Sequence, residues 1–243
     1  MRYLVLSDIH SNIEALDACV RRAKNFGYDS VLCCGDIVGY GPNPSEVMDM
    51  LDELQTVSIR GNHDRVVAGL DEPTHFNTAA RRAIDWTQEN LSDAYCRRLA
   101  LLPTGPLLVR SEAQLVHGSR RDEDEYVVTE EDALFNLALT SPSITFFGHT
   151  HEPGFFARDF RWQPTYGADG TAEVTLPSEK VLVNPGSVGQ PRDGDPRASF
   201  LIWDTSTGDL EFHRAEYDFK ATQAKMWIAR LPEILIVRLA LGR

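Results

Sequence analysis

Short apolar runs recur along the chain, at residues 3–6, 31–34, 57–59, 107–109, 115–116, 144–147, 181–183 and 200–203. Runs of this length, most of them closed by glycine or a polar residue, predict buried strands rather than helices. What stands just beyond them constrains the chain most. Asp8 and His10 follow the first run, and Gly35 and Asp36 the second. Gly61, Asn62, His63 and Asp64 follow the third; His117 and Gly118 close the fifth, and His149 and His151 the sixth. Five of the seven histidines therefore sit at strand ends. Ligands of open α/β sheets gather outside the carboxyl ends of strands, and these ends all deliver carboxylate, imidazole or carboxamide.

Helix signals lie between the runs. Ile13, Leu16, Val20 and Ala23 form an apolar stripe behind a capping Asn12. Pro44 suits the first position of a second helix reaching about Leu54, and Thr129 with Asp132 makes a capping box for another. A longer helical stretch covers residues 78–102, in two pieces, and stops at Pro103. The first half thus alternates strand and helix, as α/β proteins do. From Phe155 to Trp203 the pattern is turn-rich and strand-like, which predicts a second, largely antiparallel sheet. The chain returns to helix from Lys220 with a break at Pro232, and Ile234, Leu235, Val237 and Leu241 are expected to cover the core. Without a linker or internal repeat, residues 1–243 are expected to form a single domain.

Composition narrows the partners. At 42% hydrophobic and 25% charged residues the chain is of ordinary globular type, and its net charge of −12 comes without a Lys/Arg cluster. Duplex nucleic acid and anionic membranes both need a cationic footprint, so neither is an expected partner. The first run is too short for a signal peptide, and no window approaches the ~18 apolar residues of a membrane span. Cys19, Cys33, Cys34 and Cys96 form no C-x-x-C pair and suit reduced thiols in a cytoplasmic protein.

Each strand-end residue alone has an ordinary structural role. Asp8 could cap a helix, Asp36 could make a turn, His117 could be a core histidine, and Asn62 could hold a left-handed turn. Five such ends together favour metal. Imidazole with carboxylate and no thiolate suits manganese, iron, cobalt, nickel or zinc, with manganese favoured. The ligands are too many for one ion, and seven with one shared carboxylate fit a pair about 3.5–4 Å apart.

D-x-H at Asp8 and His10, G-D at Gly35 and Asp36, G-N-H-D from Gly61, H-G at His117, and G-H-T-H from Gly148 resemble, in order and spacing, the five motifs of the calcineurin-like metallophosphoesterases. "GDIVGYGPNP", "NPGSVGQPRDGDPRASF" and "LPEILIVRLALG" resemble the compact bacterial phosphodiesterase-type branch. The resemblance implies a four-layer αββα sandwich of two mixed sheets. It implies one metal on Asp8, His10, Asp36 and His151, and a second on Asp36, Asn62, His117 and His149, with Asp36 bridging. His63, supported by Asp64, would face the phosphate and protonate the leaving oxygen, and a hydroxide formed between the ions would attack phosphorus in line.

Departures from the wider superfamily narrow the substrate. Gly39 and Tyr40 stand where protein Ser/Thr phosphatases carry Asp-Arg, Gly39 also where purple acid phosphatases carry an iron-binding Tyr, and Arg120 where the branch often has proline. Arg121 and Arg192 are candidates for phosphate contacts, although Arg192 could instead pair with Asp193 or Asp195. Residues 184–187 could shape the site floor, and Tyr40 and Phe76 could face a base or the core. The expected function is a phosphoesterase acting on small phosphodiester or nucleotide-type substrates. A phosphomonoesterase of the same fold and a non-catalytic scaffold are the rival readings, the scaffold disfavoured by the retained His63.

Overall fold

Strand β1 (Arg2–Leu6) has two apolar faces, and each is buried against a different layer. Leu4 and Leu6 pack with Leu16, Val20, Phe200 and Ile202, whereas Tyr3 and Val5 pack with Phe146, Val183, Leu201 and Trp203. The two-residue repeat of a strand makes that division. The computed structural model describes residues 1–158, 160–177 and 179–243.

One six-stranded sheet is centred on β1. Strands β2 (Ser30–Cys33) and β3 (Val57–Ser58) extend it in parallel on one side. On the other side β11 (Ala198–Asp204), β12 (Asp209–Ala215) and β9 (Thr171–Thr175) continue it antiparallel. The second six-stranded sheet runs β4 (Leu107–Val109), β5 (Ala113–Leu115), β6 (Ile144–Phe146), β10 (Val181–Asn184), β7 (Gly154–Ala157) and β8 (Phe160–Trp162). Both sheets are mixed. They meet across an aromatic seam in which Trp203 stacks on Tyr3 at 5.2 Å and meets Phe146 at 5.4 Å; such pairs add roughly 0.5–1.5 kcal/mol beyond area burial.

Helices cover both outer faces. Helix α1 (Ile13–Lys24), capped by Asn12, and α2 (Pro44–Glu53) bury their apolar stripes on the first sheet. Helix α6 (Glu130–Leu139) covers the second sheet, started by the Thr129–Asp132 capping box. Helices α3 (Asn62–Val67), α4 (Thr78–Asn90) and α5 (Asp93–Ala100) lie between β3 and β4, so the long helical stretch is indeed in two pieces. The four-layer α/β sandwich is therefore present.

Two expectations need correction. The strand-rich segment after Phe155 does not make a sheet of its own, because β9 and β11 join the first sheet while β7, β8 and β10 join the second. The C-terminal break at Pro232 separates α7 (Phe219–Ile228) from α8 (Glu233–Arg238). Of the residues expected to cover the core there, Leu235 is buried, but Ile234, Val237 and Leu241 are 63%, 45% and 53% exposed. The inward face of α8 uses Leu235, Ile236 and Leu239 instead. The four cysteines are free, and burial holds Cys19, Cys33 and Cys34 as protonated thiols. Among the described residues, no helix is long and apolar enough to cross a membrane.

Candidate metal centre

The loops that leave β1, β2 and β6 turn sharply at the strand ends. Among the described residues, seven of the ten non-glycine residues with positive φ lie there: Asp8, His10, Ser11, Asp36, Tyr40, His149 and His151. Left-handed backbone is unfavourable for such residues and clusters where function demands it. It persists because the loops bond to one another. Asp8, His10 and Ser11 donate their amides to the carbonyls of Gly35, Asp36 and Ile37, each at 3.0 Å. Backbone amides also hold the carboxylates: His149 N donates to Asp8 Oδ1 at 3.0 Å, and His63 N to Asp36 Oδ1 at 2.9 Å. Two glycines make room. A Cβ on Gly61 would strike Asp36 and approach His117 Cε1 to 2.7 Å, and one on Gly148 would strike Ser7 and approach Asp8 Oδ2 to 2.8 Å.

The seven expected ligands converge into overlapping groups. Asp8, His10 and His151 bring ligand atoms together, as do Asp36, His117 and His149, and Asp36 also groups with His10 and His63. Asp36 Oδ2 lies 3.6 Å from His10 Nε2 and 3.4 Å from His117 Nε2, between the two sets. Asn62 Oδ1 is 3.1 Å from His117 Nε2, and Asn62 begins α3 rather than a left-handed turn.

Four imidazoles have one ring nitrogen against a backbone carbonyl. His10 Nδ1 faces Val38 O at 3.2 Å, His117 Nδ1 faces Cys34 O at 2.8 Å, and His151 Nδ1 faces Gln190 O at 2.6 Å. His149 Nε2 faces Asp124 O at 3.1 Å. Carbonyls only accept, so each of these nitrogens carries a proton, and in the neutral rings of His10, His149 and His151 the opposite nitrogen is left as a lone pair. His10 Nε2 and His151 Nε2 then face each other at 3.2 Å. Two acceptors at that distance repel unless a cation lies near both, and this donor set fits divalent metal.

Charge agrees with that. Burial pushes the Asp36 carboxyl up, but His117, His63 and His10 outweigh it and hold it well below the usual range. Burial depresses His10 and His151 well below the ordinary imidazole value and brings His149 to about 3, so all three are neutral. His117 is the exception: burial opposes its charge, yet Asp36 and Asp8 lift it to about 10. Burial raises Asp8 to about 6.

The structure corrects two assignments. Asp64 does not support His63. Its carboxylate accepts from Gly61 N at 2.9 Å, Val38 N at 3.0 Å and Ile37 N at 3.2 Å, tying the loop after β2 to the start of α3. His63 is held by aromatic rings, with Tyr40 at 4.4 Å and His10 and Phe76 each at 4.8 Å, and its buried Nδ1 has no partner. Burial, reinforced by Arg192 and His117, lowers its pKa to about 4. Arg121 stands outside the cleft, paired with Glu125 and stacked 4.1 Å over the Phe135 ring. The neighbouring carboxylate and ring satisfy it locally.

A cleft of about 190 Å³ opens over the ligands, lined by Asp36, Asn62, His63, His149 and His151 together with Tyr40, Phe76, Tyr126 and Arg192. Arg192 does not pair with Asp193 or Asp195, which are taken by Arg214 and Arg197. Tyr40 and Phe76 do both jobs in question, lining the cleft and packing in the apolar cluster behind it. Residues 184–187 brace the floor: Asn184 Nδ2 donates to Gly148 O and Thr150 Oγ1, and Ser187 Oγ to Asp8 O. Tyr126 is new. It stacks on His149 at 3.9 Å while remaining 48% exposed. Its only sequence signal is an aromatic residue closing the acidic stretch that follows His117.

Known proteins are similar to this chain over nearly its whole length. The family model for the calcineurin-like phosphoesterase superfamily domain matches residues 1–208. An uncharacterised protein of Methanocaldococcus jannaschii is 36% identical, over 98% of this chain and 97% of its own. The crystal structure of a metallophosphoesterase from Sphaerobacter thermophilus has a TM-score of 0.89 at 37% identity, covering 100% of this chain and 99% of that one. A hypothetical protein from Pyrococcus horikoshii OT3 has the same fold, with a TM-score of 0.82 at 22% identity, covering 100% and 98% of the two chains. The chain thus belongs to the calcineurin-like phosphoesterase superfamily, whose members are metal-dependent phosphate-ester hydrolases.

Proposed function

We propose that this chain is a dinuclear metal-dependent phosphodiesterase acting on small, nucleotide-type substrates, its 243 residues working as one domain. The observation that carries the reading is the facing pair of His10 and His151 Nε2 atoms, 3.2 Å apart, with both Nδ1 atoms against carbonyls. Asp8, His10, Asp36 and His151 would hold one ion, and Asp36, Asn62, His117 and His149 the other. When bound, the pair supplies a nucleophilic water near neutral pH and neutralises phosphate oxygens. Imidazole-rich ligation favours manganese over magnesium.

The remaining work falls to the chain. Tyr40, Phe76 and His10 fix the His63 ring beside the ligands, in reach of a leaving oxygen. Burial keeps that imidazole neutral in the free protein, and a substrate phosphate supplies the negative charge that lifts its pKa toward the value a proton donor needs. Arg192 turns its guanidinium to the phosphate oxygens. Arg121, paired with Glu125, is not offered to a monoester dianion, which supports the diester. The packing of α7 on α1 and α8 supports the single domain.

The test is a panel of phosphomono- and diesters offered to metal-stripped protein reloaded with different divalent ions. Chelation is expected to abolish hydrolysis, manganese to restore it at least as well as magnesium, and diesters to be turned over faster. Full activity in metal-free protein overturns the reading.

A further inference from the structure

Behind Arg192, which lines the cleft, hydrogen-bond donors collect without acceptors to match them. The buried Gln190 places its Oε1 3.5 Å from Arg192 Nη2 and 3.3 Å from Arg238 Nη1. Sharing that oxygen fixes the amide's orientation, and the opposite atom, Nε2, is buried without a partner. Arg192 Nε is likewise buried and unpartnered, while Arg238 gives its Nε to the Arg243 carbonyl. Among the described residues, no Asp or Glu side chain lies within ion-pair distance of either guanidinium. Asp193 and Asp195 are engaged by Arg214 and Arg197.

Two cations around one neutral oxygen repel each other, and taking them out of water adds to the cost. Burial and then Arg192 lower the Arg238 pKa, whereas Tyr40 and Tyr126 outweigh burial and raise that of Arg192. In a chain of net charge −12 they are not a bulk cationic surface. An anion would relieve the repulsion and satisfy the orphaned donors. The cleft lining carries Glu72, Asp124 and two arginines, of which Arg65 is paired with Asp124. Among the described residues, Arg192 is the arginine of that lining without a carboxylate partner, so a further phosphate is drawn toward it.

Building on the phosphoesterase reading above, we propose that Gln190, Arg192 and Arg238 form a second anion subsite. The substrate then carries, beside the scissile phosphate at the metal ligands, at least one further linked phosphate. This places it among nucleoside polyphosphate-type compounds rather than isolated diesters. Arg238 acts as a specificity residue contributed by α8, outside the five strand-end motifs.

Calorimetric titration of manganese-loaded protein with adenosine 5′-monophosphate and adenosine 5′-diphosphate tests this, with metal content checked after each run. The diphosphate is expected to bind about tenfold or more tightly than the monophosphate, the worth of a charge-assisted hydrogen bond. In Arg238→Gln the diphosphate should lose most of that advantage, and Arg238→Lys, which keeps the charge, should recover part of it. Thermal melting confirms that both variants are folded. Equal affinity for the two nucleotides in the native protein overturns the subsite, and so does an equal loss for both in Arg238→Gln. In either case continued metal-dependent ester hydrolysis leaves the phosphoesterase reading standing. If the loaded protein neither binds a nucleotide nor hydrolyses any ester, both fall together.

Discussion

His213 should make this fold acid-sensitive at a distance from the metal ligands. The ring is fully buried on β12, between Phe26 at 4.1 Å and Phe200 at 4.8 Å. Its Nδ1 is 3.3 Å from Thr171 Oγ1, and its Nε2 lies 3.5 Å from Glu211 Oε2. Glu211 offers little help because it is engaged by Arg2, and Arg22 adds further positive charge, opposed only by Asp169. Burial, followed by Arg22, therefore lowers the imidazole pKa from 6.5 to about 3. The unfolded chain takes up this proton below about pH 6.5 and the folded chain not until about 3, so stability falls as pH drops through that window. At 1.36 kcal/mol per pH unit the loss is about 2 kcal/mol by pH 5, with a ceiling of about 5 kcal/mol near pH 3. For a chain of this size, 2 kcal/mol lowers Tm by roughly 4–8 °C. His213→Phe keeps the aromatic stack and removes the proton site. Urea unfolding of both proteins at pH 7, 6 and 5 should show the native protein losing about 2 kcal/mol more than the variant over that range. Subtracting one profile from the other removes the common contribution of the metal-site histidines, none of which acts on His213. Parallel profiles would refute the argument, because His213 would then titrate alike folded and unfolded.

Three further outcomes concern the site. Asp36→Asn should deplete bound metal more than Asn62→Asp, since only Asp36 stands between both ligand groups; equal occupancy by elemental analysis contradicts bridging. His63→Ala should retain metal and slow esters with poor leaving groups by about 10²–10⁴-fold, but esters of acidic phenols much less. A loss independent of leaving group would make His63 an electrostatic clamp. Asp64→Asn cannot accept from all three amides that its carboxylate holds, so hydrogen exchange at Ile37, Val38 and Gly61 should quicken while the leaving-group dependence stays native. A leaving-group dependence like that of His63→Ala would return Asp64 to a role through the histidine.

The sequence alone did not mark β12 or the start of α3, but it marked the strands at its eight apolar runs, the helix starts at Asn12, Pro44 and Thr129 and the strand-end position of seven ligand residues. Each of these has a local cause. Side-chain alternation is written into β1, Asn12 and Thr129 carry their caps with them, and a residue just beyond a parallel strand is delivered to the sheet's carboxyl edge wherever that strand sits. Tertiary structure decided what depends on distant partners. Nothing local in β9 or β11 says that they pair into the sheet of β1 while β10 slots beside β6. The left-handed backbone at Asp8, His10, Asp36, His149 and His151 is sustained by bonds between loops far apart in sequence. Long and polar side chains were the least legible, because they go to the nearest acceptor that folding provides. Arg121 swings away to Glu125, and Asp64 turns from its neighbour His63 to three backbone amides. Arg238, a lone cation in an apolar stretch, meets Gln190 48 residues away, and only the packed chain brings that charge beside Arg192.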